Sequence, residues 1–519
     1  MTLAETLQPR AIARPRHAAR LGFLALTAAI ALALTLAFAA SVTAWSLPAL
    51  AALALVGLAA LWISGGAATA LVGLLAPPAA RETPPAAWRP QGRAAILVTL
   101  CNEPPEPLAA WLPRLGERLR AAGLGARTHI FVLSDTSGPH VAAEEAAFAP
   151  LAGDGLTYRR RARNAGRKPG NIADWLAEHG DAFRYMLVLD ADSRMSARRI
   201  RQMIWTMEQR PALGLLQAGI ALRPGQSRLG RHQRLSARLM GRNFGRGFAA
   251  WSGRSGNYWG HNALLRTAAF RSAADLPKLS GPAPFGGAPL SHDFIEAAWI
   301  RRAGWDVRLD PDPAGSAEDA PQTLAAFHKR DRRWCQGNLQ HLRLIAEPGL
   351  HPLSRLHLAS GILGYLAAPV WLALVALMAS GAVQTASLWP LALVAFVLLL
   401  PKFCALAFWL PRARTWRRRV RVMRAAAGEL ALSSVIAPLV MLRQAGAVAA
   451  VCLGRDCGWK RASAPRRALP RGLPEAAAGG ALLALAAFGS GGAAALWTLP
   501  LAVPLCAAPW LIGALDAPA

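Results

Sequence analysis

Residues 21–80 carry no Asp, Glu, Lys or Arg, and the same holds for 356–401 and 476–515. Roughly 20 consecutive apolar residues cross a bilayer as a helix. Each stretch therefore has room for two helices, and lipid is the solvent that accommodates them. The 519-residue chain is 54% hydrophobic and only 17% charged, in keeping with this. A cleaved signal peptide does not fit the first stretch, because the apolar run is too long and a second follows it directly. Arg10, Arg14, Arg16 and Arg20 precede it against one acid, Glu5. Basic flanks stay on the cytoplasmic side, so 1–20 is expected to be a cytoplasmic segment and two helices in 21–80 return the chain there.

The formal charge of +29 admits two explanations, a nucleic-acid partner or a membrane protein with basic cytoplasmic loops. The arginines cluster in the soluble stretch 81–352 and beside apolar segments, which favours the second and argues against nucleic acid. Six scattered cysteines form no CxxC pair, so neither a disulfide framework nor a zinc site is indicated. After 353–410, expected as two membrane helices, 411–424 holds seven arginines and no acid, and 455–475 is again basic. Both basic loops should be cytoplasmic, yet one crossing between them would separate them. Glu429, Pro438 and Arg443 also make a lipid-facing span costly. The expectation for 425–454 is an interfacial, re-entrant or hairpin segment, followed by two helices in 476–515.

Within 81–352, short apolar runs alternate with segments of helical period. Residues 94–100, 129–134, 185–190 and 213–217 read as strands, and 111–122 as an amphipathic helix. That alternation predicts an α/β, Rossmann-like parallel sheet. In such sheets ligands gather past the carboxyl ends of the strands. Three strand ends then bring Glu103, Asp135 and the pair Asp190/Asp192 to one edge. Two carboxylates one residue apart suit a divalent cation that is also held by substrate phosphates, although a strand end turning into a helix cap uses the same residues.

Other motifs gain weight from this one. Asp293, in Ser291-His292-Asp293-Phe294, opens a stretch of helical period, where the helix dipole favours an anion. An ionised carboxylate there can act as a general base, or simply cap the helix. Arg330-Asp331-Arg332-Arg333-Trp334 offers a charge for phosphate and a flat face for a sugar ring, or an interfacial aromatic beside the membrane. Lys168, in a Gly/Pro turn, can meet a diphosphate or remain a solvated loop residue. The glycines of 241–247 do not match a dinucleotide fingerprint.

Taken together, these motifs resemble those of the processive family 2 glycosyltransferases: Asp135, then Asp190-Ala191-Asp192, then His292-Asp293, then Arg330-x-x-Arg333-Trp334. His292 stands where that family usually has glutamate, and Arg330 where cellulose- and hyaluronan-type enzymes have glutamine. These departures, with Gly260-His261-Asn262-Ala263, resemble the branch that makes osmoregulated periplasmic glucans. The resemblance implies a glycosyltransferase A-type cytoplasmic domain inserted between transmembrane helices in a bacterial inner membrane. It implies an inverting, processive glucosyltransferase building a linear β-1,2-glucan from UDP-glucose, with an acyl carrier protein and membrane lipid as partners. The implied roles are Asp190 and Asp192 for Mg2+ or Mn2+; Glu103, Asp135, Lys168, Asp190 and Arg333 for the nucleotide sugar; His292, Arg330 and Trp334 for the acceptor; and Asp293 as base. The alternatives are a non-processive transferase adding a sugar to a lipid carrier, and a membrane transporter or regulator with a degenerate transferase domain.

Overall fold

The computed structural model describes residues 17–77, 83–153, 155–273, 275–457, 471–489, 491 and 494–518. Most of the basic N-terminal segment and most of 455–475 lie outside these residues.

The soluble part is built on a seven-stranded sheet ordered β3-β2-β1-β4-β8-β6-β9. Its strands are β1 (Ala94–Leu100), β2 (Thr128–Ser134), β3 (Leu156–Arg160), β4 (Tyr185–Asp190), β6 (Leu213–Ala218), β8 (Ala263–Arg266) and β9 (Asp306–Asp310). β1, β2, β3 and β4 are mutually parallel, while β8 runs antiparallel to both β4 and β6. The sheet is therefore mixed, a correction to the all-parallel expectation. β8 follows the Gly260-His261-Asn262 stretch, and its run of four residues is too short to announce a strand. A small second sheet, β5 (Arg194–Met195), β10 (Ser316–Glu318) and β7 (Ala221–Leu222), closes over the cleft side.

Strands buried on both faces read as near-continuous apolar runs, and β1 and β4 do so because helices cover both sides. One face packs Trp175, Leu176 and Ile295, the other Leu112, Leu115 and Ile200. Register then sets the site. Thr99 lies opposite Asp190 and Leu100 opposite Ser134, so β1, β2 and β4 end at one level.

Two helical hairpins flank this domain in sequence: Ala18–Ser41 with Leu47–Leu75, and Pro352–Ala379 with Trp389–Arg412. Their connecting loops meet where Val42 bridges to Thr385. Among the described residues five helices are long and apolar enough to cross a membrane, or six if a pair bent by 57° at residue 507 is counted as one. The fifth is Trp416–Cys452, a single continuous helix of 37 residues. This replaces the hairpin reading of 425–454 and draws most of the basic 411–424 loop into helix. The charges that argued against a lipid-facing span are paired inside the protein: Glu429 with Lys402 at 2.5 Å, and Arg443 with Glu475. Along its length this helix follows domain-side partners. Ile436 and Leu439 pack with Leu229 and Leu324, and Val448 and Val451 with Cys335 and Leu339. Just past its end, Asp456 accepts from Gln336 Nε2 at 2.8 Å. The expected helix pair in 476–515 is a 17-residue helix, Leu473–Gly489, followed by the bent pair.

Candidate active site

Asp190 is the last residue of β4, and the parallel register sets it beside Thr99, whose hydroxyl donates to its Oδ1 at 3.2 Å. The Lys168 ammonium pairs with the same oxygen and donates to the Gly260 carbonyl at 2.8 Å. Lys168 comes from the first turn of helix Arg167–His179, not from a loop. Gly166, which precedes that helix, and Arg167, which opens it, both have positive φ, and the left-handed entry aims its first turn at the end of β4. Burial would raise the Asp190 carboxyl, but the Lys168 and His261 charges and the hydrogen bonds from Lys168 and Thr99 hold it at about 2.

Asp192 has no such partner. Its side chain is exposed, yet it is surrounded closely enough that burial, then Asp190 and Glu318, push its carboxyl up to about 6 against the charge of His261. The turn carrying it is pinned by Arg194, which donates to the carbonyls of Ala191 and Ser193. His261 is 3.1 Å from Glu318 through Nε2 and 3.3 Å from the Ser193 hydroxyl through Nδ1.

At the end of β2, Asp135 is buried and accepts from Arg161 Nε at 2.8 Å. Burial nevertheless leaves its carboxyl above the usual range, with Arg161 and Asn171 opposing. Arg161 also bonds the Ala165 and Arg167 carbonyls, which ties the Asp135 pocket to the helix that delivers Lys168. Glu103 folds back so that its carboxylate accepts the Cys101 N–H at 2.5 Å.

Asp293 lies in the first turn of helix His292–Arg302. A Cβ built on Gly260 would stand 3.5 Å from Asp293 Oδ2. The backbone of Gly260 thus separates the Asp190–Lys168 pair from Asp293. Its positive φ of 83° explains why glycine occupies the position. Tyr258 underpins the same point by donating to the Gly260 carbonyl at 2.8 Å. Burial raises the Asp293 carboxyl, His292 lowers it, Glu296 raises it, and two backbone N–H groups lower it; the net direction is upward.

Helix Leu324–Gln340 sorts its basic-aromatic motif by rotation. Residues four apart share a face, so Arg330 stacks on Trp334 at 4.6 Å. Arg333, turned by one residue, feels the charges of Glu103 and Asp190. Trp334 is 47% exposed and, with Asp293, lines a cleft of about 1380 Å3. The opposite wall comes from helix Arg228–Ser252, where Arg234, Arg238 and Arg242 recur every four residues, and from Trp409.

The structure therefore brings Lys168, Asp190 and Asp293 together around Gly260, with Asp192 two residues past Asp190, Asp135 two strands away past the end of β2, Arg333 feeling the charges of Glu103 and Asp190, and Trp334 lining the cleft with Asp293. His292 is placed differently from expectation. Its Nδ1 lies 3.1 Å from Glu296, and the residue is not among those lining the cleft beside Asp293. Sequence reasoning assigned no role to Tyr258, Gly260, His261, Glu296 or the arginine wall. Gly260 and His261 stood in a motif that carried the resemblance without a role of their own, and the arginine wall had a visible signal in its spacing of four.

The sheet and its charged edge define a nucleotide-sugar transferase fold of the A type. Residues 95–273 match the model described as glycosyl transferase family 2, and 185–410 match glycosyl transferase family group 2. The domain is thus a family 2 glycosyltransferase domain. More particularly, the chain is similar to proteins named glucans biosynthesis glucosyltransferase H. The relative from Vibrio cholerae serotype O1 is 42% identical over 415 residues, covering 74% of this chain and 57% of the relative. That from Shewanella oneidensis is 40% identical over 400 residues, covering 71% and 55%. The chain spans little more than half the length of these relatives. A solved mannosyltransferase, PcManGT from Pyrobaculum calidifontis in complex with GDP-Man and Mn2+, is 19% identical, with a TM-score of 0.44 over 78% of this chain and 98% of that one.

Proposed function

We propose that this protein is an inverting, processive glucosyltransferase that uses UDP-glucose to extend a linear β-1,2-glucan, the backbone of osmoregulated periplasmic glucans. The observation that carries the reading is the meeting of Lys168–Asp190 and Asp293 on opposite sides of Gly260. A donor diphosphate and an acceptor hydroxyl need that separation to meet at one carbon.

The carboxylates fit a divalent cation. Asp190, Glu318 and Asp319 crowd negative charge around the open Asp192 side chain. Among the described residues no three His, Cys, Asp or Glu side chains form a ready metal cage. Mg2+ and Mn2+ suit such a site, one or two carboxylates with substrate phosphates completing the shell. A cation held by Asp192, with Asp190 beside it, supplies charge neutralisation for the departing diphosphate. Lys168 and Arg333 add fixed positive charge on that side. Asp135 and Glu103 border the nucleotide end. Asp293 takes the proton of the acceptor hydroxyl, and its raised carboxyl makes it a stronger base than an ordinary aspartate. One base with no enzymic nucleophile gives direct displacement, hence inversion. Trp334, braced by Arg330, offers its face to a sugar ring at the cleft entrance.

In this reading the sheet domain is cytoplasmic, the membrane is the bacterial inner membrane, and the Trp416–Cys452 helix lies along the interface. Both of its basic flanks then stay on the cytoplasmic side. Acyl carrier protein and membrane lipid are the proposed partners. The test is to incubate purified protein in lipid with labelled UDP-glucose, Mg2+ and acyl carrier protein, and to size the product and analyse its linkage. A water-soluble β-1,2 ladder is expected. One sugar in the organic phase would instead identify a non-processive transferase, and no product would identify a non-enzyme.

A further inference from the structure

His292 and Glu296 occupy one face of the helix that carries Asp293, one turn apart. Glu296 is only 2% exposed, and its Oε1 lies 3.1 Å from His292 Nδ1. The contact is an ion pair rather than an aligned hydrogen bond, since Nδ1 has no well-directed acceptor. A buried carboxylate without a counter-charge is expensive, and the imidazolium beside it is the available one.

We propose that Glu296 is a positioning residue for catalysis: it fixes the His292 imidazolium next to Asp293, and that cation keeps the base in its proton-accepting form. The inference rests on the reading of Asp293 as general base. Glu296 thus acts on the reaction through His292, without touching substrate.

The surrounding charges fit this ladder. Burial alone would discharge the imidazole; Glu296, then Asp293, raise it above its ordinary range, and Lys168 on the neighbouring helix opposes them. His292 is in turn the strongest influence holding the Asp293 carboxyl down against burial. The Tyr258 phenol, fixed to the Gly260 carbonyl, faces Glu296, Asp293 and Asp190 from the loop before β8, and burial keeps it protonated. The His341 imidazole from the following segment is bonded to the Ser291 carbonyl at 3.0 Å, and burial keeps it neutral. The other cation that acts on His292 is Lys168, which is already committed to Asp190.

The experiment is the pH profile of kcat for the full chain in lipid, with UDP-glucose and Mg2+. A base whose neighbouring cation is removed protonates at higher pH, so the acid limb moves up. His292→Gln should raise that limb by about one pH unit, about tenfold in rate at a pH below it; Glu296→Gln should raise it by less, because it also removes the direct repulsion of Glu296 on Asp293, while KM for UDP-glucose stays unchanged. His292→Lys should leave it near the wild-type position. The double variant H292Q/E296Q should move it no further than H292Q alone, because Glu296 acts through the imidazole. If Glu296→Gln does not fold, the contrast between H292Q and H292K carries the test. An acid limb unmoved in E296Q and H292Q would overturn the proposal, as would equal shifts in H292Q and H292K. Asp293→Asn distinguishes this from failure of the base assignment: an active D293N removes the base itself, whereas an inactive D293N with unmoved limbs removes only the ladder.

Discussion

On the side that the proposed reaction assigns to the donor, at the ends of β2 and β4, each of two carboxylates already has its cation: Asp135 has Arg161 and Asp190 has Lys168. On the side assigned to the acceptor, Asp293 has the neighbouring His292 and two backbone N–H groups to offset burial, and His292 is itself shared with Glu296. Asp192, two residues past Asp190, has no cation bonded to it among the described residues. The difference follows from the chemistry. Groups that hold a donor in one pose gain from being fixed before it arrives. A base must exchange a proton during the reaction, so its ionisation has to remain adjustable.

Removing the adjustable group should break this contrast most severely. Asp293→Asn is expected to lower kcat by about 1000-fold, within the usual worth of a general base, while calorimetry still detects UDP-glucose binding. Asp192→Ala comes next. It should abolish the metal dependence of UDP affinity, weakening binding by about 100-fold, at or beyond the upper end for removing an outer-shell metal partner. The proton competes with the cation for the same oxygens, and the Asp192 carboxyl titrates at about 6. Metal-dependent UDP affinity should therefore be flat above about pH 7 and fall about tenfold per unit below 6, as titrations at several pH values would show. Lys168→Met sharpens the donor side: it strips Asp190 of its partner and should raise KM for UDP-glucose by about tenfold. The smallest effect belongs to Trp334→Ala, expected to cost about 1 kcal/mol of stacking. It should shorten the product, read by sizing, with Trp334→Phe in between.

Much of the donor side could be read from the chain. β1, β2, β4 and β6 are continuous apolar runs ending in acids or turns, and their register follows from that shared boundary. β8, β9 and the small sheet were not legible, because short strands fixed by tertiary pairing carry little local signal. The Trp416–Cys452 helix was obscured for a different reason. Glu429, Pro438 and Arg443 argue against a helix surrounded by lipid, and only the structure supplies Lys402 and Glu475 as partners. His292 was legible as a departure from its family, but its partner Glu296 was not. A residue one turn further along a helix gains meaning only when both burial and direction are known.

The account depends most on the donor carboxylates and Asp293 serving one bound substrate. The most direct measurement is a structure of the Asp293→Asn protein in lipid with UDP-glucose and Mg2+. The account predicts the cation on Asp192, the diphosphate toward Lys168, and the sugar carbon facing residue 293 across Gly260. A donor bound with its sugar turned away from residue 293, or a cation held elsewhere, would contradict it.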